Sequence, residues 1–145
     1  MKIWILGIWL GLEGVWDLKY KEIPLWFSLA GGCAGLLFCI DEKRELLQIL
    51  VAILPGILLL LFSWITKEVI GYGDGLTVLV LGMYMSLSQM AVVGMLAFGV
   101  AGVVALALLV FCKKTGGYRM PFIPFLGIAT GIATGIVHLV ELGGL

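Results

Sequence analysis

Two aspartates lie at the borders of apolar segments, where a carboxylate is energetically costly and therefore suggests a function. Asp74 follows the run Gly71-Tyr72-Gly73 and precedes a long apolar segment, and Asp17 stands at the end of the first apolar segment. Two carboxylates brought together at a membrane surface are able to activate a water molecule, one as base and the other as acid. The pair therefore suggests a hydrolase.

The composition is that of an integral membrane protein. Of the 145 residues, 62% are hydrophobic and only 12% are charged, whereas about a quarter of the residues in a soluble domain are charged. The apolar stretches are continuous rather than alternating, which predicts helices and not the strands of a barrel. Nine basic and nine acidic residues leave no net charge, so nothing points to a nucleic-acid partner.

Six apolar segments predict an all-α, polytopic membrane protein, a bundle of six transmembrane helices in one domain over 1–145. We expect the first segment to be retained as a helix, because no small-residue cleavage site precedes Glu13. The stretch 75–112 is long enough for two spans, with a turn expected at 86–89. The predicted segments are about 3–16, 25–40, 46–65, 75–90, 91–112 and 124–142.

The distribution of basic residues predicts the orientation in the membrane. Alternating the polar connections places six Lys and Arg residues on one side and three on the other. The positive-inside rule then places both termini outside and the connections 17–24, 66–74 and 113–121 in the cytoplasm, together with both aspartates. The six are Lys19, Lys21, Lys67, Lys113, Lys114 and Arg119, and the three are Lys2, Lys43 and Arg44.

Characteristic residues surround each aspartate. Ile23 and Pro24 follow Asp17, and proline suits the first turn of a helix because its missing N–H would be unpaired there. Glycines bracket Asp74 and allow close approaches that side chains would forbid. We expect Asp74 at a helix N-terminus, where a negative charge is favoured by roughly 0.3–1 kcal/mol. A third segment, Met120-Pro121-Phe122-Ile123-Pro124-Phe125, leads into the last helix from the same predicted side.

Taken together, these motifs resemble those of the type IV prepilin peptidases, a family of Gly-x-Gly-Asp intramembrane aspartic proteases. The family's first motif is matched by Asp17, Ile23 and Pro24, and its second by Gly71, Gly73 and Asp74. Its Pro-Phe-x-Pro-Phe segment is matched by Pro121, Phe122, Pro124 and Phe125. The chain departs from the family at Leu25, Leu76 and Ile123, where Asn, Lys and Gly are common.

The resemblance implies an aspartic endopeptidase of the cytoplasmic membrane with Asp17 and Asp74 as catalytic residues and no metal or cofactor. Its expected partners are the bilayer and a prepilin-like substrate, recognised by its leader peptide and the adjacent apolar helix. Larger members carry paired Cys-x-x-Cys motifs linked to N-methylation of the product, and Cys33, Cys39 and Cys112 do not show that spacing. The chain therefore resembles the short, peptidase-only form of Tad pilus and preflagellin peptidases.

Alternatives stay open at the level of sequence. Asp17 and Asp74 could form a proton or cation relay in a small transporter or channel subunit, or the chain could be a structural membrane subunit. Glu13, one helical turn before Asp17, either lines a polar entry to the site or lies at the membrane boundary. His138 is expected to be a packing or interfacial residue. The oligomeric state does not follow from the sequence.

Overall fold

The computed structural model describes residues 2–20, 23–67, 71–112 and 122–143, with the side chains of 109, 111–112 and 137–143 left out of the description. These residues form helices and contain no strand. The predicted all-α architecture and the number of helices are confirmed. The helices are α1 (Lys2–Tyr20), α2 (Leu25–Asp41), α3 (Leu46–Ile65), α4 (Tyr72–Tyr84), α5 (Leu87–Cys112) and α6 (Ile123–Gly143).

The break between α4 and α5 comes earlier than expected, at Met85 and Ser86. The cause is a capping box, a helix start in which two side chains reciprocally bond backbone N–H groups. The N–H of Gln89 donates to Ser86 Oγ at 3.4 Å, and the N–H of Ser86 donates to Gln89 Oε1 at 3.0 Å. Ser86 therefore precedes α5, and Gln89, predicted to lie in the turn, belongs to the first turn of α5.

On the other side of this break, Arg44 binds the C-terminal end of α4. Its guanidinium donates to the carbonyl of Met83 at 2.9 Å and to that of Met85 at 3.0 Å. Carbonyls at a helix C-terminus have no partner within the helix, so Arg44 satisfies the end of α4 from the connection between α2 and α3. The thiol of Cys39 also donates to the carbonyl of Met83, at 3.1 Å.

The helices alternate in direction, so their ends gather at two levels. The ring of Trp9 in α1 stacks 6.5 Å from that of Tyr84 near the end of α4. Glu13, further along α1, binds Thr77, which is nearer the start of α4, so α1 and α4 are antiparallel. Lys2 at the start of α1 forms an ion pair with Glu42 just after α2. We call the opposite level, where α1 ends and α4 begins, the aspartate end, because it holds Asp17 and Asp74.

Helices α3 and α4 pack in close antiparallel contact. A Cβ on Gly82 would overlap the backbone carbonyl of Ala52, and one on Gly56 would overlap the backbone of Leu79. Glycine at these two positions lets the backbones approach, which is the usual route to tight helix pairs in lipid. The short helix that carries Asp74 is therefore held along its length by α3.

Glycines recur at intervals of four residues in α1, α2 and α6, a spacing that favours close packing of helices. In the described structure those of α2 are the tightly packed ones, whereas the Cβ position of Gly127 in α6 lies 4.0 Å from Leu10 Cβ, an ordinary contact. A Cβ on Gly31 would overlap the Trp9 ring, and one on Gly35 would lie 2.8 Å from Met83 Cβ. In α1 and α6, Gly7, Gly11, Gly131 and Gly135 have open space within 4 Å of the same position. Spacing alone did not distinguish these cases, because it shows which face a glycine shares but not what packs there.

Among the described residues, two helical stretches are long and apolar enough to cross a membrane, Leu46–Ile65 and Leu87–Leu108. Few of their side chains are buried, so both expose apolar surface of the kind that suits lipid. Leu25–Asp41 and Ile123–Ile136 are apolar but shorter. Six membrane crossings therefore stay a prediction.

Candidate functional site

Glu13 occupies the centre of a polar cluster between three helices. It is 0% exposed, and each of its carboxylate oxygens accepts a hydrogen bond. Thr77 of α4 donates to Oε2 at 2.9 Å, and Ser28 of α2 donates to Oε1 at 3.2 Å. The structure therefore places Glu13 inside the bundle, buried between α1, α2 and α4.

The two aspartates lie next to this cluster, at the same level. Asp17 is four residues beyond Glu13 in α1, and Asp74 is three residues before Thr77 in α4. Because α1 and α4 are antiparallel, both steps lead toward the aspartate end, by about one helical turn. The hydrogen bond between Glu13 and Thr77 therefore places the turns that hold Asp17 and Asp74 at one level of the bundle.

The local setting of the two aspartates differs. Asp17 is buried and lies in the last turn of α1, which continues to Tyr20 instead of ending at the aspartate as predicted. Asp74 is half-buried and lies in the first turn of α4, as predicted. Its N–H donates to the carbonyl of Gly71 at 3.1 Å. A helix N-terminus stabilises a negative charge there.

Ile23 connects the first motif to the second. Its side chain lies against Gly73, where a Cβ would come within 3.0 Å of Ile23 Cγ1 and closer still to Cδ1. Pro24, which follows, has extended backbone and precedes α2 instead of lying in its first turn. Glycine at position 73 therefore allows the segment 23–24 to pack against the start of the helix that carries Asp74.

The third motif also approaches the cluster. The position of a Cβ on Gly14 lies 3.5 Å from Pro124 Cα, and Gly14 directly follows Glu13 in α1. Pro124 is in the first turn of α6, so α6 begins at the aspartate end. Pro121 lies outside the described residues. The part of the third motif that is described thus lies beside α1, between the levels of Glu13 and Asp17.

Sequence reasoning missed the hydroxyl groups of the site. Ser28 and Thr77 are buried partners of Glu13, and Ser63 of α3 is also buried. Leu60 packs against Gly75, and Gly56 against Leu79, so Ser63 lies near the level at which α4 begins. A detectable signal was the polarity of these residues within otherwise apolar segments, where each needs a hydrogen-bond partner.

The remaining residues considered in the sequence either make other contacts or lie outside the part of the chain that the structure describes. The ammonium of Lys19 lies 5.1 Å from the centre of the Tyr20 ring, a cation–π contact. Cys39 is buried and Cys33 is exposed. Within the described part of the chain, no group of three or more His, Cys, Asp and Glu side chains could hold a metal ion. Lys21, Lys113, Lys114, Arg119 and the side chains of Cys112 and His138 lie outside it.

Comparison with protein families gives a match to the type IV leader peptidase family over residues 4–110. The chain belongs to this family. The matched region includes both aspartates and ends before the Pro121–Phe125 segment. Searches of curated proteins and of solved structures gave no match.

Membership of this family confirms the resemblance to the prepilin peptidases. The general properties of the family therefore apply to this leader peptidase. The family consists of membrane-associated peptidases, of the aspartic type, that act on prepilin-like precursors. The apolar, largely exposed helices α3 and α5 agree with a membrane association.

Proposed function

We propose that this leader peptidase is a membrane-embedded aspartic endopeptidase in which Asp17 and Asp74 form the catalytic pair. Its reaction removes the leader peptide from type IV pilin-like precursors at the cytoplasmic membrane face. The observation that supports the proposal is the Glu13–Thr77 hydrogen bond of 2.9 Å, because it joins the helix of Asp17 to the helix of Asp74 and puts the two aspartates at one level. Gly71, Gly73, Ile23, Pro24, Pro121 and Pro124 support them as motif residues.

The chemistry follows from two neighbouring carboxylates. They do not readily ionise together, so the pair holds one proton between them. The ionised member takes a proton from water, and the water oxygen bonds to the scissile carbonyl carbon. The protonated member donates its proton to the carbonyl oxygen. Collapse of the tetrahedral intermediate breaks the C–N bond, and the leaving amine takes up a proton.

The membrane arrangement in this proposal is one domain over 1–145 with six crossings. The exposed apolar faces of α3 and α5 contact lipid, and the six-to-three bias of Lys and Arg orients the bundle. Both termini then face outward, and the aspartate end faces the cytoplasm. A prepilin whose leader is cytoplasmic and whose adjacent helix is in the bilayer presents its cleavage site at this level.

A proton or cation relay is the competing function. A relay needs ionisable groups spread through the depth of the membrane. Asp17 and Asp74 instead lie at a common level, one turn beyond Glu13 and Thr77 respectively. This arrangement favours joint action on one bond over passage between successive sites.

Co-expression with a candidate prepilin tests the proposal by the size shift of the processed product. We expect Asp17→Asn and Asp74→Asn each to abolish the shift. Asp41→Asn is a matched control, since Asp41 is an exposed carboxylate at the far end of α2, and we expect it to process normally. Near wild-type processing by either of the first two variants would refute the aspartic pair and leave the relay as the better hypothesis.

A further inference from the structure

A third carboxylate lies beside a site whose proposed chemistry uses two. Glu13 is completely buried, and burying a carboxylate is costly unless hydrogen bonds compensate for the lost water. Its contacts run to helices on either side, one to Thr77 and one to Ser28. A residue with only a packing role would be better served by leucine, which needs no such partners.

We propose that Glu13 is a positioning residue that sets the spacing between Asp17 and Asp74. The inference rests on the proposed function of the two aspartates. Glu13 itself takes no part in bond breaking. Its carboxylate joins the helix that carries Asp17 to the helix that carries Asp74, and it joins both to the start of α2.

The link to Asp74 runs through a single hydroxyl. Thr77 Oγ1 lies 2.9 Å from Glu13 Oε2 and 3.0 Å from the carbonyl oxygen of Gly73. Gly73 directly precedes Asp74, so the same hydroxyl contacts the carboxylate of α1 and the backbone at the base of Asp74. A shift of Glu13 would therefore reach Asp74 across one side chain.

A second series of contacts leads from Glu13 through α2 to the start of α4. Ser28 donates to Glu13 at 3.2 Å and lies in the first turns of α2, just after Pro24. Ile23, before that proline, packs on Gly73. The path from Glu13 through Ser28 and Ile23 thus returns to Gly73, where the path through Thr77 also ends. The start of α4 is held from two directions by one carboxylate.

The geometry requires a hydrogen-bonding group at each of the two terminal atoms of the side chain at position 13. Leucine has a similar size and offers none, so Glu13→Leu removes both links. Glutamine keeps one acceptor oxygen and adds two N–H donors. A serine hydroxyl is able to accept from such a donor, so Glu13→Gln keeps both contacts with one reversed. We therefore expect Glu13→Gln to retain substantial activity, in contrast to Glu13→Leu.

Kinetics on purified, lipid-reconstituted protein separate positioning from binding. In Glu13→Leu and in Thr77→Val we expect kcat to fall by about a hundredfold, the effect of a displacement of about 1 Å, with KM little changed. Thr77→Ser, which keeps the hydroxyl, should restore kcat. Thr130→Val is the matched control, because Thr130 is buried in α6 and its hydroxyl donates to the carbonyl of Leu126 in the same helix.

The two losses should also depend on each other. If Glu13 acts through Thr77, the variant carrying both Glu13→Leu and Thr77→Val should be no slower than the slower single variant. Fully additive losses, or a Thr77→Ser variant as slow as Thr77→Val, would overturn the positioning role.

A second measurement does not require catalysis. Asp17→Cys and Asp74→Cys are combined in a protein in which Cys33, Cys39 and Cys112 are replaced by alanine, and the two thiols are bridged with a short bifunctional reagent. We expect Glu13→Leu to lower the yield of the bridge and Thr130→Val to leave it unchanged. An unchanged yield in both Glu13→Leu and Thr77→Val would refute the inference.

The two tests distinguish this inference from the function on which it rests. Cleavage that persists in Asp17→Asn defeats the catalytic pair, and the bridging yield still reports whether Glu13 sets the spacing. Conversely, a bridging yield independent of Glu13 defeats the positioning role and leaves the catalytic pair standing. If Glu13→Leu fails to insert into the membrane, Thr77→Val and its Thr77→Ser partner provide the same comparison.

Discussion

Ile23 packs its side chain against Gly73, so that the residue before Pro24 touches the residue before Asp74. The contact joins two motifs that are far apart in sequence. It leaves no room for a Cβ at position 73, because the nearest atoms of Ile23 lie within 3.1 Å of that point. The approach of the two segments therefore depends on glycine there.

We predict that Gly73→Ala lowers cleavage because the added methyl pushes Ile23 away from the start of α4. Overpacking of this kind costs about 1–3 kcal/mol. Ile23→Val, which removes the outermost methyl of the contact, should restore part of the activity when combined with Gly73→Ala. Processing of a co-expressed prepilin provides the measurement.

The control for this prediction is Gly131→Ala, since the corresponding position at Gly131 has nothing within 4 Å. It should leave cleavage unchanged. Equal activity in Gly73→Ala and Gly131→Ala would show that the contact with Ile23 is not needed for the site.

The catalytic pair should behave as one unit. A carboxamide neither accepts the proton of water nor shares a proton with its partner, so Asp17→Asn and Asp74→Asn should each lose at least about 10²–10⁴-fold in rate. The double variant should be about as slow as either single variant. All three should remain folded and inserted, because helix packing holds the bundle. If the rate loss in the double variant equalled the product of the two single losses, the two aspartates would have separate roles.

Close packing of α3 on α4 predicts a loss of stability at a position distant from the aspartates. Gly82→Val should destabilise the protein, because its side chain would meet the backbone carbonyl of Ala52. Gly94→Val is the comparison, since the added Cβ there has nothing within 4 Å. Thermal unfolding in detergent should separate the two variants, and similar midpoints would contradict the tight α3–α4 contact.

Orientation in the membrane is testable by labelling single cysteines in a protein without Cys33, Cys39 and Cys112. We expect cysteines at positions 43 and 114 to react from opposite sides, with position 114 in the cytoplasm. The physical reason is the six-to-three excess of Lys and Arg on that side. Reaction of both positions from one side would be incompatible with the six-crossing arrangement.

The product should carry an unmodified N-terminal amine when this protein acts alone. The sequence contains no paired Cys-x-x-Cys motif of the kind linked to methylation in larger members of the family. Mass spectrometry of the processed pilin decides the point, and a mass increase of one methyl group on that amine would contradict the prediction.

The sequence by itself determined the helical architecture, because long apolar runs in a chain with few charges have to satisfy their backbone groups internally. It also singled out Asp17 and Asp74 as candidate catalytic residues, since an acidic residue beside apolar segments has a high cost and therefore stands out. The capping box of Ser86 and Gln89 is equally local, because the Ser-x-x-Gln spacing by itself predicts a helix that starts just after Ser86.

Only the tertiary structure decided which residues meet. Gly31 and Gly131 look alike in sequence, yet one lies under the Trp9 ring and the other has open space around it. Glu13 looked like a boundary residue or part of an entry path, and its hydrogen bonds to Ser28 and Thr77 join helices distant in the chain. Periodicity shows which face of a helix a residue occupies, but the neighbour on that face depends on how separate helices pack.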